Sequence, residues 1–325
     1  MKRRCSSLSP ANASRGMVLI IVLWSLFFLS ALALAIAAYV RPQLSLAGRL
    51  KDSTLARVLA EAGVKRAIAQ INNGATSTVD TLKEFVPGSP FDFTTQGAGG
   101  GTFSYTLIDE ERKININTAS EDIFKRLFEI IAGLTPQQAN DITTAILDWR
   151  QAGEGARRNG AKSDYYQTLT PSYPCKKGPF DVLDELLLVK GMTPEILKNI
   201  KNEITIYGAG CININTADPL VLRSLGMPAP LADKIINYRN GNDGLPATND
   251  DRVFSDAGDI INTLKTAPPL TKDEANQLAN IIGEGSLCVR SDHFKGSSIG
   301  KNNRESLLID FIFDRQGHIK FWREE

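Results

Sequence analysis

Few side chains in this sequence can do covalent chemistry. Its cysteines are Cys5, Cys175, Cys211 and Cys288, and its histidines are His293 and His318. Both histidines fall in strand-like sequence, far from any cysteine or serine motif. There is no glycine-rich phosphate loop, metalloprotease helix or nucleophile elbow. Asp184-Glu185 precedes an apolar stretch and reads as first-turn charge favourable to a helix dipole. Asp243, Asp250 and Asp251 form an acidic loop that reads as solvated. The sequence therefore reads as a non-enzyme. The thiols leave disulfide chemistry. Cys211 opens Cys-Ile-Asn-Ile-Asn and Cys288 opens Cys-Val-Arg-Ser, each at a strand-like run. In an oxidising compartment these two are the preferred pair, with Cys175 left over; three free thiols are the alternative.

The elements that must position these residues begin with an unusual N-terminus. Lys2, Arg3, Arg4 and Arg15 lead to Gly16, and an uncharged run then extends from Met17 to Val40. A helix of that length rises about 36 Å, enough to cross a bilayer with some tilt. Basic residues before the span predict a cytoplasmic N-terminus and an external C-terminal body. The run is longer than the apolar stretch of a secretory signal. Its far end, Tyr39-Val40-Arg41-Pro42, is poor for cleavage. Two readings stay open: a plain uncleaved anchor, or a cut on the near side, at Gly16.

Beyond the span, residues 43–73 contain no proline. Leu44, Leu55, Leu59, Ala62, Ile68 and Ile71 approximate one helical face, and Asn72-Asn73-Gly74 is a helix stop. Pro42 is expected to kink this helix rather than end it; two helices broken there are the alternative. Alternating strand patterns follow over Thr102–Ile108 and from Lys113, then again over Leu287–Phe294. Residues 306–314 and 318–322 form a hairpin around Arg315-Gln316-Gly317. Between these strands, residues 118–283 are mostly helical, with 17 Lys/Arg against 21 Asp/Glu. The fold class is α+β, with a helical domain inserted into an α/β head. The whole chain carries a net charge of only +1, which argues against a nucleic-acid binder.

An internal repeat organises the insertion. Ile114-Asn-Ile-Asn-Thr-Ala-Ser returns as Ile212-Asn-Ile-Asn-Thr-Ala-Asp. In each copy the isoleucines bury one strand face. Thr118 or Ser120, and Thr216 or Asp218, can then cap the helix that follows. Each copy also ends in an aromatic-arginine pair, Trp149-Arg150 and Tyr238-Arg239. Gly133, Gly191 and Gly226 supply left-handed turns ahead of helix-opening prolines. The repeat resembles helix-hairpin-helix (SAM-like) modules, which often hold DNA backbones. Those modules usually carry a second glycine in the turn, and it is missing here at all three places. With the acidic balance of the insertion, this favours a packing role and no nucleic-acid partner.

Arg15-Gly16 followed by Met-Val-Leu-Ile-Ile-Val-Leu-Trp resembles the prepilin signal of type IV pilin-like proteins. The resemblance implies cleavage between Gly16 and Met17 by a membrane prepilin peptidase and N-methylation of Met17. Removing the leader takes Cys5 and four positive charges with it, leaving −3. Pilins usually carry a glutamate where Ile21 stands. A buried carboxylate there needs a cationic partner, and its absence resembles the K-type minor subunits of type II secretion. Asp148-Trp149, Tyr165-Tyr166, the stretch Gly178–Thr193 and the Ile-Asn-Ile-Asn-Thr-Ala repeat are similar to general secretion pathway protein K. That family implies a pilin-like head with an inserted helical domain, at the tip of a pseudopilus with I and J subunits. It also implies a single-pass protein of the bacterial inner membrane with a periplasmic body.

On this basis residues 1–16 are a prepilin leader, 17–40 the transmembrane helix and 41–74 its continuation. Residues 75–117 are head strands, 118–283 the inserted domain and 284–325 the closing strands. Family members bind calcium in the loop after the Asp-Trp pair, which points to Asp148, Glu154 and Asp164. Calcium wants six to eight oxygens, and Arg150, Arg157, Arg158 and Lys162 crowd these three carboxylates. The alternative functions are a membrane-tethered DNA-uptake receptor built on the repeat and an uncleaved membrane-anchored adaptor.

Overall fold

The computed structural model describes residues 13–73, 78–86, 90–95, 99–153, 155–265, 269–302 and 304–325. Most of the basic N-terminal segment, with Cys5, lies outside them, as does Glu154. The elements in chain order begin with helix α1 (Ala13–Asn73) and strands β1 (Phe91–Thr95), β2 (Gly99–Asp109) and β3 (Ile114–Asn115). Helices α2 (Glu121–Ile130), α3 (Pro136–Arg150), α4 (Ser163–Tyr166) and α5 (Pro194–Ile200) follow. Next come β4 (Ile204–Thr205), β5 (Ile212–Asn213), α6 (Pro219–Ser224), α7 (Ala229–Arg239), α8 (Ile260–Leu264) and α9 (Lys272–Gly283). Strands β6 (Leu287–Cys288), β7 (His293–Asn302), β8 (Ser306–Asp314) and β9 (Ile319–Glu324) close the chain.

α1 is a single helix that runs through Pro42. Its 61 residues reach about 90 Å. The large apolar side chains from Met17 to Tyr39 are exposed, with Trp24 at 67% and Phe28 at 69%. The C-terminal part of the helix is the spine of the head. Ala56, Leu59, Ala60, Val64, Ala67 and Ile71 are buried. Four of them, Ala60, Val64, Ala67 and Ile71, pack with Leu107, Phe294, Ile309, Phe311 and Phe313 of the sheet. Leu44, expected on this face, is 67% exposed. The sheet meets the helix only further on, where Asn302 Nδ2 donates to the Asp52 carbonyl at 2.5 Å.

The head sheet has the order β1-β2-β7-β8-β9, with every neighbouring pair antiparallel. Helix and sheet approach closely because small residues face each other. A Cβ on Gly63 would stand 2.1 Å from Ser298 Oγ, and one on Gly300 would stand 2.1 Å from the Ala56 carbonyl oxygen. The Ser298 hydroxyl donates to the Ala60 carbonyl at 2.7 Å and so satisfies itself inside the contact.

The helical domain is spliced into the connection between β2 and β7. Asp109 at the end of β2 pairs with Phe294 near the start of β7, so the chain leaves and re-enters the sheet at one place. The insertion has its own core, which includes Phe124, Leu127, Ile146, Trp149, Tyr166, Leu222, Ile235, Phe254 and Leu278. Two boundaries differ from the sequence reading. Ile114 and Ile116 belong to the insertion core, because β3 pairs in parallel with β4 rather than with the head. Leu287–Phe294 is not one strand: β6 pairs with β5, and β7 starts only at His293. The polar residues Arg290, Ser291 and Asp292 between them make the change of sheet. The insertion therefore begins before Ile114 and extends through β6.

Candidate functional site

The two repeat copies fold alike. Asn115 Oδ1 accepts from Asn117 N at 2.8 Å, and Asn213 Oδ1 accepts from Asn215 N at 3.0 Å. Asn117 then clasps the backbone of Phe180 through both its side-chain atoms, at 3.0 and 2.7 Å. Asn215 clasps Phe254 in the same way, at 2.9 Å for each bond. The caps are Ser120 for α2 and Asp218 for α6. The arginines of the aromatic-arginine pairs reach back to the strand-helix turns. Arg150 donates to the carbonyls of Ile116 at 2.8 Å and Ala119 at 2.6 Å. Arg239 donates to those of Ile214 at 3.0 Å and Ala217 at 2.7 Å. Burial lowers the Arg239 pKa to about 10.

Gly133, Gly191 and Gly226 adopt φ of 68°, 85° and 103° and make the expected left-handed turns. A Cβ on Gly191 would lie 3.0 Å from Ile142 Cγ1, so that turn packs on α3. Arg126 packs on the turn at Gly226 and donates to the Ser224 carbonyl at 2.9 Å.

A buried polar network, which sequence reading did not find, joins the insertion to the head. Asp109 is 1% exposed. Its Oδ2 accepts from the Thr216 hydroxyl at 2.5 Å, the Ser291 hydroxyl at 2.8 Å and Asn213 Nδ2 at 3.1 Å. Burial first, and then the neighbouring Glu111 carboxylate, push its pKa up to about 7. Asp80 accepts from Ser291 N at 2.6 Å and pairs with the Arg315 guanidinium. Glu111 accepts from His293 N at 3.0 Å and meets His293 Nδ1 at 3.2 Å. That contact raises the His293 pKa. These partners lie roughly 80 to 235 residues apart in sequence, beyond the reach of any local pattern.

Each residue singled out from the sequence has a definite place. Gly16 and Met17 lie in the first turns of α1, with Met17 65% exposed and nothing within 4 Å of a Cβ at Gly16. Cys211 and Cys288 lie at the β5–β6 pair with Cα atoms 5.7 Å apart and their sulfurs joined. Cys175 is buried and free. Asp148 is 1% exposed, and its carboxylate is taken up by Arg157, which donates from NH1 at 3.0 Å and from its backbone N at 2.9 Å. Asp164 is exposed in the first turn of α4. Among the described residues no group of three His, Cys, Asp or Glu side chains could hold a metal ion. Calcium wants several unpaired carboxylates, and the Asp148 carboxylate, already paired with Arg157, does not fit it; Glu154 lies outside the described residues. In the acidic loop, Asp250 accepts from the backbone of Asn242 and Asp243, and Asp251 from that of Ala247 and Thr248. These carboxylates shape the turn.

A membrane-length helix that becomes the spine of an antiparallel head, with a helical domain spliced between two central strands, defines a pilin-like α+β fold with an inserted α domain. Residues 105–209 match the family described as type II secretion system (T2SS), protein K. The chain is similar to type II secretion system K proteins of two bacteria. It is 23% identical over 218 residues to a putative type II secretion system protein K of Escherichia coli (strain K12), covering 63% of this chain and 66% of that protein. It is 25% identical over 134 residues to type II secretion system protein K of Klebsiella pneumoniae, covering 37% of this chain and 41% of that protein. Both aligned stretches fall short of two thirds of the relative's length. A chain in the crystal structure of the GspK-GspI-GspJ complex from enterotoxigenic E. coli shares the fold. Its TM-score is 0.61 at 17% identity, covering 88% of this chain and 98% of that one.

Proposed function

We propose that this protein is a minor pseudopilin of a type II secretion system and sits at the pseudopilus tip with I- and J-type partners. The observation that carries the reading is the exposed apolar N-terminal half of α1, continuous with a C-terminal part whose face from Ala56 to Ile71 is buried in the head. An apolar helix face of this size needs lipid or other helices as its solvent. Before assembly the Met17–Val40 segment lies in the inner membrane, with the N-terminus cytoplasmic and the body periplasmic. Prepilin peptidase cuts between Gly16 and Met17, and Met17 is N-methylated. On assembly the segment packs against sister helices. Ile21 supplies no carboxylate to pair with the terminal amine of a subunit above, and the bulky insertion suits the end of a filament.

Co-expression with I- and J-type pseudopilins and a prepilin peptidase tests this. The expected result is a co-purifying complex in which this chain has lost residues 1–16 and gained one methyl group by intact mass. A chain that stays uncleaved and purifies alone would sink the reading.

A further inference from the structure

We propose that the Asp148 carboxylate and the carbonyls at the C-terminal end of α3 are held by the protein's own lysine and arginine cations, and that these oxygens neither bind nor need calcium. Lys162 is only 4% exposed. A buried ammonium is costly unless its donors are met. Here Nζ donates to the carbonyls of Asp148 and Gln151, at 2.7 Å each. Both carbonyls lie at the C-terminal end of α3, where helix carbonyls lack intrahelical partners and the dipole is negative. Lys162 therefore caps α3 from 14 residues away.

A second cation takes the Asp148 carboxylate. Arg157 NH1 meets Oδ1, its backbone N meets Oδ2, and its NH2 donates to Gln151 Oε1 at 2.5 Å. The backbone closes over the same carboxylate: a Cβ on Gly160 would fall 1.9 Å from Asp148 Oδ2. From outside, Lys190 Nζ donates to the carbonyls of Asn159 and Gly160, both at 3.4 Å, and lies 5.0 Å over the Tyr165 ring. Thus two ammonium groups each gather two loop carbonyls while a guanidinium neutralises the buried carboxylate. A divalent ion drawn to these oxygens would have to displace an ammonium or a guanidinium already bonded to them.

The test is backbone hydrogen exchange across residues 151–162 in the detergent-solubilised full chain, in EDTA and in millimolar calcium chloride. For the unmodified protein the two rates are expected to agree. Lys162→Met keeps most of the side-chain volume and removes the donors. It is expected to speed exchange about tenfold in both buffers, the loss of charge-assisted hydrogen bonds at one cap. Lys190→Met is the second variant, should the first fail to fold, with faster exchange expected around Asn159 and Gly160. Slower exchange of the unmodified loop in calcium overturns the proposal. So does unchanged exchange in the variants.

Discussion

Asn213 of the second repeat donates its side-chain amide to Asp109 at the end of β2, at 3.1 Å and across 104 residues of sequence. The bond fastens the inserted domain to the strand it interrupts. Because Asp109 titrates near 7 against an ordinary 3.8, the fastening depends on pH. The folded protein holds a proton on Asp109 that the unfolded chain gives up at lower pH. Its stabilising contribution is complete below about 4 and is lost as pH rises through about 7. His293, raised by Glu111, adds to the same trend. The thermal midpoint of the full chain is expected to fall between pH 5.5 and 8, and Asp109→Asn is expected to flatten that slope. A midpoint that rises over this range in the unmodified protein refutes the assignment.

Arg239 is 7% exposed and binds two carbonyls of its own repeat. Arg239→Met leaves those carbonyls unsatisfied and is expected to cost about 2–4 kcal/mol. Arg239→Lys is expected to recover little, because one ammonium cannot reproduce the span of a guanidinium. Denaturant unfolding followed by tryptophan fluorescence measures both. Near-complete rescue by lysine would show that charge alone suffices.

The bond between Cys211 and Cys288 closes a 77-residue interval that contains the second repeat. Loop-closure entropy puts its contribution at about 4 kcal/mol as an upper estimate. Cys211→Ser is expected to lower the thermal midpoint under oxidising conditions and to have no further effect in reductant. Thiol titration of the unfolded chain without residues 1–16 should find one free thiol, Cys175. Three free thiols would contradict the pairing.

The seat of α1 on the sheet allows no side chain at Gly300, where a Cβ would approach Ala56 O and Ala60 N at 2.1 and 2.3 Å. Gly300→Val is expected to destabilise the head by about 3 kcal/mol or more through overpacking. Circular dichroism melting reports the loss, and a midpoint within experimental error of the parent would contradict this packing.

Legibility in the sequence followed the range of the interactions. The apolar run, the helix end at Asn73, the capping residues and the left-handed glycines are local and were readable. So was the repeat, whose copies look alike because they make the same short-range bonds from Asn115 and Asn213. The partners of Arg150 and Arg239 were not readable, since backbone carbonyls leave no mark in a sequence. Asp80, Asp109, Ser291 and Arg315 gave no signal: each looks like an ordinary loop or strand-end residue until folding brings them together. Leu287–Phe294 misled because β-propensity does not say which sheet a strand joins. The polar trio Arg290-Ser291-Asp292 was the available warning.

The pairing of Asp109 with Phe294 has a mechanical consequence. Because the inserted domain leaves and re-enters the sheet at adjacent points, tension or thrust along α1 passes into the head through the Gly63–Ser298 and Ala56–Gly300 contacts. It need not traverse the helical domain. The helical domain thus adds a surface to the head without interrupting the seat of α1 on the sheet.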